Sequence, residues 1–348
     1  MAEDIVITDP KGMIEETSRI VDDLECSINT KLHLPRVDFD EILICGMGGS
    51  AIGGDIVANC LFTLSDTPIR VIRFPELPVW ANEKTLVIVS SYSGNTLETL
   101  SVYDQAVEHG CKIICITSGG ELKKKADSNS NSVVPVKSGI QPRNAVGYTV
   151  GYMLNIIKSV GGPDITADVN KCIPSLKKYI SSLKPVDSEA RKIAAIIREG
   201  VPVIYSTESF SSIAGRWRAQ FNENSKILAF DGHIPDTNHS DIVGLVEHNG
   251  VSLKPILLVE YRQSKLMKDI IGATSSTLKS HGLKPYIVRV SGKTVFERIF
   301  RAMILGDFIS LHLAFFRELD PSDVSSISVF KTTLFNKLFG RKKKQSKS

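Results

Sequence analysis

The sequence contains no Cys-x-x-Cys pair, no His-Glu-x-x-His and no other dense cluster of metal-ligand residues. Without such spacings neither a structural zinc nor a catalytic metal is expected. The six cysteines are scattered through 348 residues, a usage that predicts free thiols in a reducing cytoplasm. Charge of one sign is also scarce. Forty-two Lys and Arg stand against 38 Asp and Glu, and five of the basic residues crowd into positions 340–348. The body is thus nearly neutral and gives no case for nucleic-acid binding, and the basic tail reads as a solvated end. Long apolar runs are missing as well. Glu3 and Asp4 stand where a secretory leader would need apolar residues, so no leader is expected. The most apolar late stretch, 302–316, is interrupted by Asp307 and His312 and is not read as a membrane span.

What is present is the composition of a soluble globular protein, 42% apolar and 23% charged, long enough for two full cores. An amphipathic helix is predicted over 10–26, with Met13, Ile14, Thr17, Ile20, Val21 and Leu24 on one face. Buried-type strands over 42–45, 69–74, 85–90, 112–117 and 133–136 alternate with helices predicted over 55–64, 96–109 and 121–126. This βαβαβ alternation implies a doubly wound parallel sheet with ligands at the carboxyl ends of its strands. A helix over 148–160 leads to Gly161-Gly162-Pro163. Beyond a polar helical region the pattern restarts with strands over 201–206, 255–261 and 284–290, a helix over 213–225 and a long apolar helix face from Phe296 to Leu311. The organisation expected is an N-terminal α/β unit over 1–160, a C-terminal α/β unit over 161–335 and a basic tail over 336–348.

The chain is organised around the run from Glu41 to Gly54. Ile42 to Cys45 has no polar alternation, as in a central parallel strand covered on both faces. It feeds directly into Gly46, Gly48 and Gly49, then Ser50 and a helix. Free N–H groups and the positive end of a helix dipole make such a turn an anion site; a tight turn without a ligand is the plain alternative. Gly46, Gly48 and Ala51 also fit the dinucleotide fingerprint G-x-G-x-x-[G/A]. That fingerprint wants an acid at the end of the next strand, where this chain has Arg73, with Glu76 only after a proline. A second strand-to-helix turn offers Ser91, Ser93 and Thr96 around Gly94. Three hydroxyls beside a helix start are suited to a dianionic phosphate without a metal, though a serine-rich helix cap would look similar.

Four other places carry polar groups: Arg143 after the last strand of the first half, Glu223 in the run from Gln220 to Lys226, His239 in the run from Thr237 to Asp241, and Lys331. Singly, each reads as a surface or satisfied polar residue. Together with Gly46-Met47-Gly48-Gly49-Ser50 and Ser91-Tyr92-Ser93-Gly94-Asn95-Thr96, they make the chain resemble the sugar isomerase (SIS) domain. Pro142-Arg143, Asn222-Glu223-Asn224 and Asn238-His239 make it similar, over roughly 40–335, to the bifunctional phosphoglucose/phosphomannose isomerases of archaea and some bacteria. The resemblance implies two doubly wound SIS-type subdomains, each an αβα sandwich. It implies hexose 6-phosphate substrates, no cofactor, and a homodimer whose active site lies at the subunit interface. Gly49, Ser50, Ser91, Ser93 and Thr96 would bind the phosphate, and Arg143 would stabilise the enediolate. Glu223 would move the proton between C1 and C2. His239, reached from the neighbouring subunit, and Lys331 would open the sugar ring. Where the family usually has Glu-Leu-Asn-His-Asn-Glu, this chain has Asp236-Thr237-Asn238-His239-Ser240-Asp241.

The chemistry has its own logic. An aldose–ketose shift needs a carboxylate to carry one proton between adjacent carbons. It needs a cation where oxygen gains charge, and His suits ring opening near neutral pH. A non-catalytic phosphosugar sensor would need the same two loops but not Glu223, and a dinucleotide enzyme would need only the glycine turn.

Overall fold

The computed structural model describes residues 9–247 and 250–339. Two helices, α1 (Met13–Ser18) and α2 (Ile20–Ile28), precede β1 (Glu41–Cys45), α3 (Gly49–Leu61), β2 (Ile69–Ile72), β3 (Thr85–Ser90), α4 (Leu97–Glu108), β4 (Lys112–Thr117), α5 (Gly120–Ser128) and β5 (Ser132–Pro135). Three helices follow, α6 (Val146–Val160), α7 (Thr166–Leu183) and α8 (Glu189–Ile197). The second half runs β6 (Val201–Thr207), α9 (Ser211–Glu223), β7 (Phe230–Ile234), α10 (Asp241–Glu247), β8 (Leu253–Glu260), α11 (Lys265–Ser280), β9 (Tyr286–Val290), α12 (Val295–Phe316) and α13 (Ser325–Phe339). The strands form two sheets, ordered β2-β1-β3-β4-β5 and β7-β6-β8-β9, and every pairing is parallel. The fold is therefore α/β with two doubly wound parallel sheets.

Side-chain alternation explains why both faces of each sheet are covered. Ile42 and Ile44 face one core, which also takes in α2, α3 and α6. Leu43 and Cys45 face the other, against Val102, Tyr103 and Ala106 of α4. In the second sheet Ile204 and Leu258 join the first of these cores, whereas Val203 and Leu257 pack on α11. One apolar core thus runs through both halves of the chain, and each fully buried Ile or Leu in it is worth about 1.5–3 kcal/mol. Burial pushes the thiols of Cys45 and Cys115 up to about 12, so they behave as apolar side chains. All six cysteines are free.

Helix α12 is long and apolar enough to cross a membrane by composition alone, but 89% of that stretch is buried inside the protein. It forms the spine of the second half, packed on α7, α8 and α9.

Several sequence expectations need correction. The helix predicted over 10–26 is two helices meeting at Arg19; Ser18 Oγ donates back to Ile14 O, a bond that competes with helix continuation. The helix predicted from Asp55 begins at Gly49 and ends at Leu61. Its internal glycines signal close packing, since a Cβ on Gly54 would stand 2.7 Å from Ile44 Cγ2. Strand β7 has no counterpart in the prediction, because Phe-Asp-Gly-His-Ile has little strand character and lies at an edge. Helices α8, α10, α11 and α13 are likewise unpredicted. Residues 336–339 belong to α13, and the basic run beyond them lies outside the described residues.

Candidate active site

The order of the first sheet places β1 beside β3, with β2 on the other side of β1. The chain leaves the sheet in different directions after these neighbouring strands, which opens a crevice at their carboxyl ends. The turn after β1 contains Gly48, at φ 52°, and α3 starts immediately with Gly49 and Ser50. The turn after β3 contains Ser91, Ser93 and Thr96. Ser91 is buried and its hydroxyl donates to Thr96 Oγ1 at 3.2 Å. Thr96 is the residue before α4, so both turns open helices whose N-termini suit an anion.

A third segment ties these turns together. Ile140 N donates to Tyr92 Oη at 2.8 Å, and Tyr92 Oη donates to Lys137 O at 3.1 Å. Gly49 lies flat against Pro142 and Arg143: a Cβ there would stand 2.9 Å from Pro142 O and 3.2 Å from Arg143 Cα. Glu16 of α1 accepts from Gln141 N at 2.6 Å. Arg143 is thereby held beside the glycine turn.

The second half meets it from the other side. Arg143, only 5% exposed, donates from Nε to Asn224 Oδ1 at 2.8 Å and from Nη2 to Pro321 O at 2.8 Å. Its Nη1 has only a long contact to Gln141 Oε1 at 3.5 Å and faces Glu223 Oε2 at 3.7 Å. One edge of the guanidinium is therefore spent on Asn224 and Pro321, while the other turns toward Glu223. Burial pushes the Arg143 pKa down, and the carboxylates of Glu223, Glu16 and Asp307 oppose that shift.

Beneath Arg143 lies a buried ion pair. Arg216 of α9 donates from Nε and Nη2 to Asp307 of α12 at 2.9 and 2.8 Å, and Gln220 Nε2 donates to Asp307 at 2.9 Å. Arg216 Nη2 also donates to Arg143 O at 3.0 Å. The pair thus fixes the main chain of Arg143 from below.

Gly48, Gly49, Arg143, Gln220 and Glu223 line a single cavity of about 920 Å³. Glu223, on the last turn of α9, is brought together with the glycine turn as expected. Ser50, Ser91, Ser93 and Thr96 sit on the adjoining turns, although they are not among the residues lining that cavity. His239 and Lys331 lie elsewhere. His239 is exposed at the end of the short 3-10 turn Asp236–His239, and Lys331 is exposed on α13. At the end of β2, Arg73 pairs with Asp55 of α3, so a cation stands where a dinucleotide site would need an acid. Among the described residues no group of three or more His, Cys, Asp or Glu is placed to hold a metal ion.

Several residues of this site escape the sequence reading. In sequence Asp307 is only a break in an apolar run, yet in the fold it anchors Arg216. Asn224 and Pro321 hold Arg143, and His233 of the unpredicted β7 lines the same cavity. An acid in the middle of an otherwise apolar helix is the one signal available, since burial of such a group demands a partner.

Comparison with known proteins agrees with this architecture. Residues 186–334 match the family model of the bacterial phospho-glucose isomerase C-terminal SIS domain. The chain is 33% identical, over 324 residues, to the bifunctional phosphoglucose/phosphomannose isomerase of Caldicellulosiruptor bescii, covering 89% of this chain and 94% of that one. It is 31% identical over 235 residues to the D-glucosamine-6-phosphate 4-epimerase of Sulfolobus acidocaldarius, covering 67% of this chain and 73% of that one. In fold it is similar to a solved hypothetical protein from Thermus thermophilus, with TM-score 0.75 at 16% identity over 94% of this chain and 91% of the other. This chain belongs to the bifunctional phosphoglucose/phosphomannose isomerase family of SIS-domain proteins.

Proposed function

We propose that the chain interconverts glucose 6-phosphate and mannose 6-phosphate with fructose 6-phosphate through an enediolate. The observation that carries this reading is the meeting of Gly49, Arg143 and Glu223 at one cavity. N–H groups at the starts of α3 and α4, with Gly49, Ser50, Ser91, Ser93 and Thr96, hold the phosphate. Glu223 takes the proton from C2 of the open-chain aldose. The C–H electrons form the C1–C2 double bond, and the carbonyl oxygen takes the negative charge. Arg143 Nη1 donates to that oxygen. The hydroxyl proton of O2 then passes to O1, and as Glu223 returns its proton to C1 the C2 carbonyl of the ketose forms. The enediolate has no stereocentre at C2, so return of the proton to C2 on either face gives the gluco or the manno aldose.

His239 and Lys331 open the ring, His239 from the neighbouring subunit of a cytoplasmic homodimer. The exposed place of His239, outside the cavity of its own chain, supports that division. A shared site has a measurable consequence. Neither Glu223→Gln nor His239→Ala homodimers should be active, but mixed dimers regain one intact site, so equal mixing restores about a quarter of the original activity. Mixtures no more active than the parents would place both groups on one chain.

The glycine turn gives a second expectation. In Gly49→Ala the new methyl group meets main-chain atoms of Pro142 and Arg143 that cannot rotate away. The Arg143 segment is displaced, and kcat/KM should fall by on the order of 10²-fold, with melting temperature as the control for folding.

The direct test is to incubate the purified protein with EDTA and each hexose 6-phosphate and follow fructose 6-phosphate. Formation from both aldoses is expected, with no metal required. Glucosamine 6-phosphate, included because of the epimerase relative, should not be epimerised. Tight fructose 6-phosphate binding without turnover would instead indicate a phosphosugar sensor.

A further inference from the structure

Lys226 stands three residues beyond Glu223, just after the end of α9. Its backbone is left-handed, φ 50°, a conformation that costs free energy for a residue with a Cβ and that helix ends usually give to glycine. The side chain accounts for a lysine there. Its Nζ donates to Asn224 O at 3.2 Å, at the negative end of the α9 dipole. It also donates to Asp320 O at 2.6 Å. Arg143 Nη2 donates to the next carbonyl along, Pro321 O, at 2.8 Å.

Two cations from different elements therefore grip consecutive carbonyls of one turn, 320–322. Pro321 and Ser322 are buried, and the Asp320 carboxylate accepts from Ser322 N and Oγ at 2.8 and 2.6 Å. The turn is also the root of α13. Among the described residues no carboxylate forms an ion pair with Lys226; Asp323, Asp320 and Glu223 act on it at longer range, while burial and then Arg143 push its pKa down. The charge of Lys11 also acts at longer range on Asp320 and Asp323.

We propose that Lys226 is a positioning residue of the candidate site, acting through Arg143. By fixing the 320–322 turn it keeps Pro321 O under Arg143 Nη2, so the guanidinium presents Nη1 to Glu223 and the cavity. The proposal rests on the role given to Arg143 above. If Lys226 were only a helix cap, glycine would serve the backbone better and the turn would stay in place without it.

Lys226→Gly and Lys226→Arg separate these possibilities. The Gly variant relieves the left-handed backbone, so its fold is not at risk from that position. Its kcat/KM for glucose 6-phosphate should fall about 10–100-fold, mostly in kcat. The amides of Ser322 and Asp323 should exchange hydrogen at least about tenfold faster than in the wild type. The Arg variant reaches the same carbonyls and should stay within about threefold of wild type in kcat/KM. Unchanged exchange in the Gly variant, kcat/KM within about twofold of wild type, or no recovery by arginine would each overturn the proposal. Should the wild type isomerise no hexose 6-phosphate, the functional reading fails by itself, and exchange at Ser322 and Asp323 alone decides whether Lys226 holds the turn.

Discussion

Replacing Glu223 by glutamine is expected to lower kcat by about 10²–10⁴-fold, with KM little changed. The amide has the same shape but cannot take a proton from carbon. Glu223 is well placed for this test because the fold asks little of it. Its side chain is 31% exposed, and its contact with Arg143 is 3.7 Å long. Arg143 keeps its bonds to Asn224 and Pro321 in the variant, so its guanidinium stays where it was. Thermal melts of the two proteins should therefore nearly coincide while their steady-state rates diverge. A variant with wild-type kcat would remove Glu223 as the base, whatever happens to KM.

The largest effect on stability is expected from Asp307→Ala. Asp307 and Arg216 are 1% and 2% exposed as side chains, and the carboxylate accepts three hydrogen bonds. Removing it leaves a guanidinium charge in the core with no anion beside it. Breaking such a pair costs about 3–5 kcal/mol, and chemical denaturation should read a loss of that size. Activity should fall too, because Arg216 also holds the main chain of Arg143. A double change of Arg216 and Asp307 to apolar residues of similar volume should recover part of the stability, since no bare charge remains, but not the activity. If Asp307→Ala alone melted like the wild type, the pair would be idle and the support of Arg143 would have to come from elsewhere.

These two residues also show what can be read in the sequence. Glu223 and Arg143 stand out only through the resemblance to the sugar isomerase family, since singly each reads as a surface or satisfied polar residue, whereas the glycine and serine turns follow unmistakable buried strands. Strands β1, β3 and β4 announce themselves because burial on both faces removes all polar alternation. Edge strand β7 sits half in solvent and carries Asp, Gly and His, so it has no such signature, and His233 is lost with it. Asp307 is visible but reads only as an interruption, because a partner 91 positions away leaves no trace in local spacing. The same holds for the grip of Lys226 and Arg143 on the 320–322 turn. Those contacts go to main-chain carbonyls, which every residue has, so nothing in the sequence singles them out.

The helix start at Gly49 makes a related point. Gly46, Gly48, Gly49, Gly53 and Gly54 argue against a helix by propensity, but the close approach of Gly49 to Pro142 and Arg143 and of Gly54 to Ile44 requires small residues. Tertiary packing overrides the local preference, and the result places Ser50 in the first turn of α3 rather than in a loop.

The most direct test is a structure of the protein with fructose 6-phosphate bound. The expected result has the phosphate between the Ser50 and Ser91–Thr96 turns, with a Glu223 carboxylate oxygen about 3–3.5 Å from C1 or C2. A sugar phosphate held away from those turns, or one whose C1 and C2 lie beyond the reach of Glu223, would contradict it.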